Sequence, residues 1–393
     1  MNTSNIRIGD IGQIITGNTP KTTENIFYHS NDICFIKPSD IDENIILQLA
    51  KSSCYISFEA KKFARIIPPK SVLVSCIGII GKVAINEVEC AFNQQINAII
   101  PNKRICYYKY LAHAIWWNKR KLKNIANAPV VPIINKSQFS DIELPFPSLK
   151  EQRRIAAILD KATELIALRK QQIQKLDLLV KSRFIEIFGD MGVNSYDWPE
   201  ILLQEACRHP NDIKCGPFGT QLNKSEYQSV GVPLLGIPQI NSFFNKPATD
   251  FVSEAKSKEL AAYSLVPGDI AMSRKGNVGM CALYPEHFPN GIIHSDVLRI
   301  RINRSKFNPI FILMQLHHSP KIKTQVEVVS SGAIMAGINV TKLKSIAIYA
   351  PPLHLQEEFA AFVQKVDKTK STLQQSLEKL ELNYKALMQT YFG

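Results

Sequence analysis

Long apolar runs are missing from this chain. The longest, residues 72–80, falls far short of the roughly 20 residues that a membrane-crossing helix takes. No basic stretch followed by an apolar one opens the sequence, so no secretory leader is expected, and the chain reads as soluble, cytoplasmic and without a membrane partner. Its 8 cysteines include no C-x-x-C pair. That excludes a zinc ribbon or a disulfide framework and leaves reduced core thiols. No H-E-x-x-H occurs, and His317-His318 are adjacent, so they cannot share one helix face as metal ligands. They read as surface or interfacial residues on the helix that answers to Trp116-Trp117. Catalytic loops are absent as well. Gly81-Lys82 ends a P-loop pattern, but Cys76 stands where its first glycine belongs and Val83 where its hydroxyl belongs. The double prolines at Ile67-Pro68-Pro69-Lys70 and Ala350-Pro351-Pro352-Leu353 lack the polar residue before and the aromatic after that a base-flipping methyltransferase needs. No catalytic residue and no metal site is expected.

What is present is positive charge and repetition. Of 393 residues, 47 are Lys or Arg against 34 Asp or Glu, a net charge of +13 and a pI near 9.2. Such a balance asks for a polyanionic partner, nucleic acid first and an acidic membrane surface second. With 45% hydrophobic and 21% charged residues, the chain can bury a sizeable core.

Ile155, Leu159, Ala162, Ile166, Arg169, Ile173, Leu176, Val180, Arg183 and Ile187 are spaced alternately by four and three positions, the heptad seam of one long helix wrapping on another. The spacing returns at Phe359, Val363, Val366, Lys370, Leu373, Leu377, Leu380, Tyr384, Leu387 and Tyr391, each 204 positions on (393 − 189, from Gly189 to Gly393). Asn135, Ile142, Leu144, Pro147, Leu149 and Gln152 are answered at the same offset by Asn339, Ile346, Ile348, Pro351, Leu353 and Gln356. Asp160, Glu164, Asp177 and Glu186 read as the solvated face of the first helix.

The chain therefore divides into a globular segment at 1–148, a helix at 149–190, a second globular segment at 191–352 and a second helix at 353–393. In the first globular segment, Ile6-Arg7-Ile8-Gly9-Asp10-Ile11-Gly12 reads as a strand leading to a turn, with further strands at 34–37 and 71–75 and a helix over 107–126. Strands first and a helix last predict an α+β module. The second segment repeats the plan: Pro69, Ser75, Gly78 and Gly81 match Pro267, Ser273, Gly276 and Gly279. Between those frame positions the residues differ in kind, Cys76, Ile77, Ile79 and Ile80 against Arg274, Lys275, Asn277 and Val278. One scaffold with two sets of exposed chemistry suits a protein reading two short DNA sequences, since side chains at base edges specify while backbone contacts only position.

Pro147-Ser148-Leu149-Lys150-Glu151-Gln152 and Pro351-Pro352-Leu353-His354-Leu355-Gln356 resemble the P-x-L-x-x-Q entry into each spacer helix of the DNA-specificity subunit of Type I restriction-modification systems. Ile77-Gly78-Ile79-Ile80-Gly81-Lys82-Val83-Ala84, Gly216-Pro217-Phe218-Gly219-Thr220-Gln221-Leu222 and Ser330-Ser331-Gly332-Ala333-Ile334-Met335 are similar to segments of that family's target-recognition domains. The first copy departs from the pattern at Ala126-Asn127-Ala128-Pro129-Val130, where the second has Val329-Ser330-Ser331-Gly332-Ala333.

The resemblance implies two α+β target-recognition domains in tandem, joined by two long helices that pair antiparallel as a coiled-coil spacer with pseudo-two-fold symmetry. The spacing itself does not choose between parallel and antiparallel pairing. The implied partners are double-stranded DNA, two modification (methyltransferase) subunits and restriction (translocase and nuclease) subunits. S-adenosylmethionine, ATP and Mg would sit on those subunits and none on this chain. Candidate DNA contacts in the second domain are Lys214, Thr220, Gln221, Ser273, Arg274, Lys275, Asn277, His294, Ser295 and Asp296. In the first they are Lys37, Ser75, Lys82, Asn93, Gln94, Gln95, Lys119, Arg120 and Lys121. The rival reading is a cytoplasmic coiled-coil scaffold without sequence-specific DNA binding.

Overall fold

The computed structural model describes residues 4–126, 131–330 and 337–393. The chain forms two compact units, one made of residues 1–170 and 375–393, the other of 171–374. Each unit thus takes part of both long helices, Leu149–Phe188 and Leu353–Phe392, which run 40 residues each.

The first unit contains a five-stranded sheet in the order Gly12–Thr16, Ile96–Pro101, Val72–Ser75, Val83–Asn86, Leu47–Leu49. Its central strands are buried on both faces. A four-stranded sheet of Tyr55–Ile56, Ile33–Ile36, Cys90–Phe92 and Ile66–Ile67 adds a second layer. Ser4–Arg7 pairs antiparallel with Glu143–Phe146, Ile6 opposite Leu144. The second unit repeats this arrangement. One four-stranded sheet orders Ile213–Cys215, Val297–Ile300, Ile270–Ser273 and Cys281–Leu283, and another orders Asp250–Val252, Val232–Leu235, Gly291–Ile293 and Ser264–Leu265. Glu200–Leu202 pairs with Ala347–Tyr349, Ile201 opposite Ile348.

Two local expectations are corrected. The run from Ile6 to Gly12 is not one strand: a helical turn, Ile8–Ile11, separates Ser4–Arg7 from Gly12–Thr16. Ile8 and Ile11, three apart, are both fully buried by it. Gly12 follows where a Cβ would meet the Ile100 carbonyl oxygen at 2.3 Å. The helix over 107–126 is two helices, Tyr108–Trp117 and Lys119–Ile125, broken at Asn118, whose side-chain amide donates to the Ala114 carbonyl at 2.9 Å.

The heptad seam is present. All twenty seam positions are buried or half-buried, and most residues between them are exposed. In the first unit the start of one helix meets the end of the other, with Ile155 and Leu159 in one core with Met388 and Phe392. Lys170 then pairs with Glu381 at 2.8 Å. In the second unit, Asp177 pairs with Lys370 at 2.5 Å and Arg183 with Glu358 at 2.7 Å. In both units the partner number falls as the first helix advances, so the pairing is antiparallel in each. Exposed ion pairs of this kind stabilise by less than about 1 kcal/mol each. Most of the packing energy comes from apolar burial at the ends of the helices, where Phe188 packs on Phe311 at 4.7 Å between ring centroids and Tyr110 on Phe392 at 5.2 Å.

Asp160 departs from its reading as a solvated residue. It accepts from Lys109 Nζ at 2.6 Å and lies 3.1 Å from His113 Nε2. Burial pushes its carboxyl up, but the hydrogen bonds from His113 and Lys109 outweigh this and hold it below the usual aspartate value. His317 and His318 are likewise drawn inward: His317 Nε2 lies 2.8 Å from the Cys281 carbonyl, and His318 packs on Phe184.

Each helix entry is fixed by a fully buried glutamine. Gln152 Oε1 accepts from Tyr107 N at 2.8 Å, and its Nε2 donates to the Ile105 and Pro147 carbonyls at 2.8 and 2.9 Å. Gln356 Oε1 accepts from Asn308 N at 2.9 Å, and its Nε2 donates to Pro351 O at 2.7 Å. Tyr107 and Asn308 cap the helices Tyr108–Trp117 and Pro309–His318, so each amide ties a long helix to the helix of its own unit.

Replacing the glutamine by leucine strands two or three buried backbone groups, each costing about 1–3 kcal/mol. Gln152→Leu and Gln356→Leu should therefore each cost on the order of 3 kcal/mol, read by denaturant melts with hydrogen exchange to show which unit opens. A loss below about 1 kcal/mol would contradict the clamp.

Burial lowers His318 to about 4 and also depresses His317, with Lys181 and Lys323 adding to the effect at His318. A depressed histidine keeps the fold stable while neutral, above its unfolded pKa of about 6.5. Stability is lost as pH falls from there towards the folded value. The wild-type melt should therefore weaken more between pH 7 and 5 than that of His318→Gln; equal slopes would show that His318 does not report on unit stability.

Candidate nucleic-acid interface

The candidate residues converge on one three-loop frame that is built twice. In the first unit the strand Val72–Ser75 runs into Cys76 and the glycine turn, where Gly78 and Gly81 take φ of +76° and +83°. In the second, Ile270–Ser273 runs into Arg274 and a turn with Gly276 and Gly279 at +67° and +84°. Only glycine adopts such angles without strain. The backbone bonds are duplicated one for one. Gly81 N donates to Ser75 O and Cys76 N to Gln95 O; Gly279 N donates to Ser273 O and Arg274 N to Asp296 O. A third loop joins them, Gly17 N donating to Ile96 O and Gly216 N to Val297 O. A Cβ on Gly17 would meet Asn93 O at 2.1 Å, and one on Gly216 would meet His294 O at 2.2 Å. These glycines hold two loops at backbone contact.

On this frame the second unit places charge. The Arg274 guanidinium lies 4.9 Å from the ring centre of Phe218, which is half exposed. Its Nη1 donates to Ser295 O and towards Cys215 Sγ, each at 3.3 Å, while its Nε is buried with no hydrogen-bond partner. Burial pushes the Cys215 thiol up, with Arg274 opposing. Lys275 Nζ is 3.0 Å from Asp296 Oδ1, and Asp296 N donates to His294 Nδ1 at 3.2 Å. Beside this group, Gln221 Oε1 accepts from Phe218 N and from the Tyr263 hydroxyl, and Lys214 Nζ stands 4.7 Å over the Tyr263 ring. Thr220 is exposed next to Gln221. Lys214, Thr220, Gln221, Arg274, Lys275, His294, Ser295 and Asp296 thus form one continuous group.

The first unit places amides on the same frame. Gln94 is exposed and accepts from the Thr19 hydroxyl at 2.7 Å, and Asn93 Nδ2 donates to Gln95 Oε1 at 2.9 Å. Lys119 packs beside the turn, its Cβ 3.0 Å from where a Cβ on Gly81 would stand, and its ammonium lies 4.9 Å over the Trp116 ring. Arg120 and Lys121 are exposed.

Several candidates are corrected by burial. Ser75 and Ser273 are fully buried. The Ser75 hydroxyl donates to Ile79 O at 2.5 Å and accepts from Lys82 N at 2.9 Å, so it braces the turn and faces away from any external ligand. Asn93, 8% exposed, is spent on the same loop. Lys37 turns inward to Cys54 Sγ at 2.9 Å and Lys82 to Pro38 O at 2.9 Å. Asn277 is exposed in the glycine turn and also lines a cavity of about 360 Å³ with His317, Lys323 and Glu327. The two segments read as differing between the copies, 126–130 and 329–333, and the similar stretch 330–335 lie largely outside the described residues.

Sequence reasoning did not name Tyr263 or Cys215 for this group, and it noted Phe218 only within the segment Gly216 to Leu222. A large apolar side chain between a proline and a glycine was a signal for Phe218; nothing marked the other two. Among the described residues no cluster of three or more His, Cys, Asp or Glu is placed to hold a metal, and no helix is long and apolar enough to cross a membrane.

The family model for the Type I restriction modification DNA specificity domain matches residues 2–178 and 216–382. The chain belongs to this family. It is 22% identical over 375 residues to the Type I restriction enzyme MjaIX specificity subunit of Methanocaldococcus jannaschii, covering 91% of this chain and 85% of that one. To the HindI specificity subunit of Haemophilus influenzae it is 32% identical over 183 residues, 44% of this chain and only 39% of that relative's length. Among solved structures it resembles the Type I restriction-modification S subunit from M. genitalium, with a TM-score of 0.64 at 15% identity, covering 100% of this chain and 96% of that one. At such identity the likeness speaks for the fold.

Proposed function

We propose that this chain is the non-catalytic DNA-recognition subunit of a Type I restriction-modification complex, acting in the cytoplasm. Each unit reads one half of a bipartite double-stranded site. The observation that carries the reading is the duplicated loop frame with unlike side chains. Backbone bonds fix the same three loops twice, while Arg274, Lys275 and Asp296 occupy the places of Cys76, Ile77 and Gln95. A frame that positions and side chains that differ are what two unlike half-sites require.

Arg274 is the strongest candidate for direct readout, since an arginine can donate to the major-groove edge of guanine. Gln94, whose amide can pair with adenine, is its counterpart in the first unit. Lys119, Arg120, Lys121 and Lys214 suit phosphates. The paired helices, about 60 Å long at roughly 1.5 Å per residue, would set the gap between half-sites and dock two modification subunits. Methyl transfer from S-adenosylmethionine, and the ATP- and Mg-dependent translocase and nuclease work of restriction subunits, would lie on those partners.

The test is methylome sequencing of a host carrying this chain with its modification subunit, against a host carrying the modification subunit alone. A new motif of two short blocks around a fixed gap is expected; no new motif, with both subunits expressed, refutes the proposal. Arg274→Ala should relax one base position in one block, costing about 1–3 kcal/mol there, and leave the other block intact. Seven residues inserted after Lys181 and seven at the facing part of the second helix keep the heptad register and add roughly 10 Å, so the gap should widen. An unchanged gap removes the spacer role.

A further inference from the structure

The loop frame has one more duplicated position, where the second sheet of each unit meets it. Ile67 pairs with Cys90 and Leu265 with Gly291, each three residues before the carbonyl that Gly17 or Gly216 approaches, Asn93 O and His294 O. Two residues before Ile67 is Arg65, and two before Leu265 is Tyr263, so these side chains occupy matching places. Tyr263 joins the charged group of its unit through Gln221 and Lys214. Arg65 reaches the matching loop of the first unit, its Nη1 donating to the Thr16 carbonyl at 2.5 Å.

The backbone under Arg65 is fixed separately. Asn18 Oδ1 accepts from Arg65 N at 2.8 Å, and Asn18 Nδ2 donates to Phe63 O at 2.7 Å. One amide thus clamps the segment carrying Arg65 to the loop that follows Gly17. The residue after Gly216 in the second unit is Pro217, whose ring has no polar atom to make such a clamp. The Arg65 side chain is exposed, and among the described residues its Nε and Nη2 make no hydrogen bond and no carboxylate pairs with it. Because the guanidinium is planar, Nη1 can be held by Thr16 while Nε and Nη2 present two parallel N–H donors on the free edge. Thr19, directly after the clamp residue, donates to Gln94, the exposed amide of this unit.

We propose that Arg65 is a base-reading residue of the first unit, giving Nε and Nη2 to O6 and N7 of a guanine in the half-site that this unit contacts, with Asn18 as its positioning residue. The inference rests on the DNA-recognition role of the chain. A side chain pinned at one nitrogen loses little further freedom when its free edge binds, and two donors held side by side match the guanine edge.

Methylome sequencing tests it in hosts carrying the modification subunit with the wild-type chain, Arg65→Ala or Arg65→Lys. With the wild-type chain, absence of any bipartite motif refutes the recognition role itself. Where that motif is present, Arg65→Ala should make one G·C position of one block degenerate, lowering the preference there roughly tenfold, in the block that Arg274→Ala leaves intact. Arg65→Lys keeps the charge but not the paired donors and should relax the same position. Arg65 is exposed, so both variants should melt with the wild type; if Arg65→Ala does not, Arg65→Lys decides alone. An unchanged motif in Arg65→Lys, or degeneracy in the block that Arg274→Ala alters, overturns the proposal. So does weaker binding by purified Arg65→Lys that is uniform across DNA sequences, since that marks a phosphate contact.

Discussion

The structure hangs on two buried amides. Gln152 and Gln356 each convert the start of a 40-residue helix into part of a globular core by bonding the backbone on either side of it. The exposed ion pairs along the helix are weak and screened, so the amide adds a directional constraint to the apolar packing of the helix ends in the cores. The amide is fully desolvated, so any tilt that stretches its bonds leaves buried backbone groups unpaired. That asymmetry between made and unmade bonds gives the helix entry its stiffness, and the repeated P-x-L-x-x-Q pattern is its trace in the sequence.

The repeat in the sequence is not the unit of structure. Phe184 and Phe188, which end the first repeat, are buried in the second unit's core with Phe311 and Phe359. Met388 and Phe392, which end the second repeat, are buried in the first unit's core with Tyr110 and Ile155. Each core is therefore completed by a helix end from the other repeat. Large apolar side chains of this kind contribute roughly 1.5–3 kcal/mol each on burial, and a globular segment cut from the chain with only its own helix would leave them without a partner surface.

How much of this could be read from the residues follows from which interactions are periodic. The heptad seam and the glycine turns were legible because a helix face and a positive φ each impose a rule on residue type at fixed spacing. The break at Asn118 and the helical turn at Ile8–Ile11 were not: the first is marked by a side-chain bond from Asn118 to the Ala114 carbonyl and the second by the close approach of Gly12 to Ile100, and apolar spacing announces neither. The candidate contacts failed in a consistent way. Ser75 and Ser273 lead into the glycine turns but are buried, and Lys37 and Lys82 turn inward. Residue type at a turn indicates a polar site without saying whether the side chain braces the turn or leaves it. Asp160 misled for the same reason, because its partners Lys109 and His113 come from a distant helix.

The division between bracing and varying residues explains how one frame can carry two chemistries. The bonds common to both copies, from Gly81 and Gly279, from Cys76 and Arg274, and from Gly17 and Gly216, are made by backbone atoms, so they do not dictate which side chains stand at 76 or 274, 77 or 275, 95 or 296. Cysteine and isoleucine at two of these positions leave the first unit to present Gln94 and Thr19, whereas arginine and lysine in the second draw in Phe218 and Asp296 as supports. A buried guanidinium nitrogen without a partner is costly, and the fold has not spent the rest of that side chain on an internal acid: Asp296, the nearest carboxylate in the group, is held by Lys275. On the proposed reading, this positioned and stacked cation meets its acceptor outside the chain through the part of the guanidinium that is not buried.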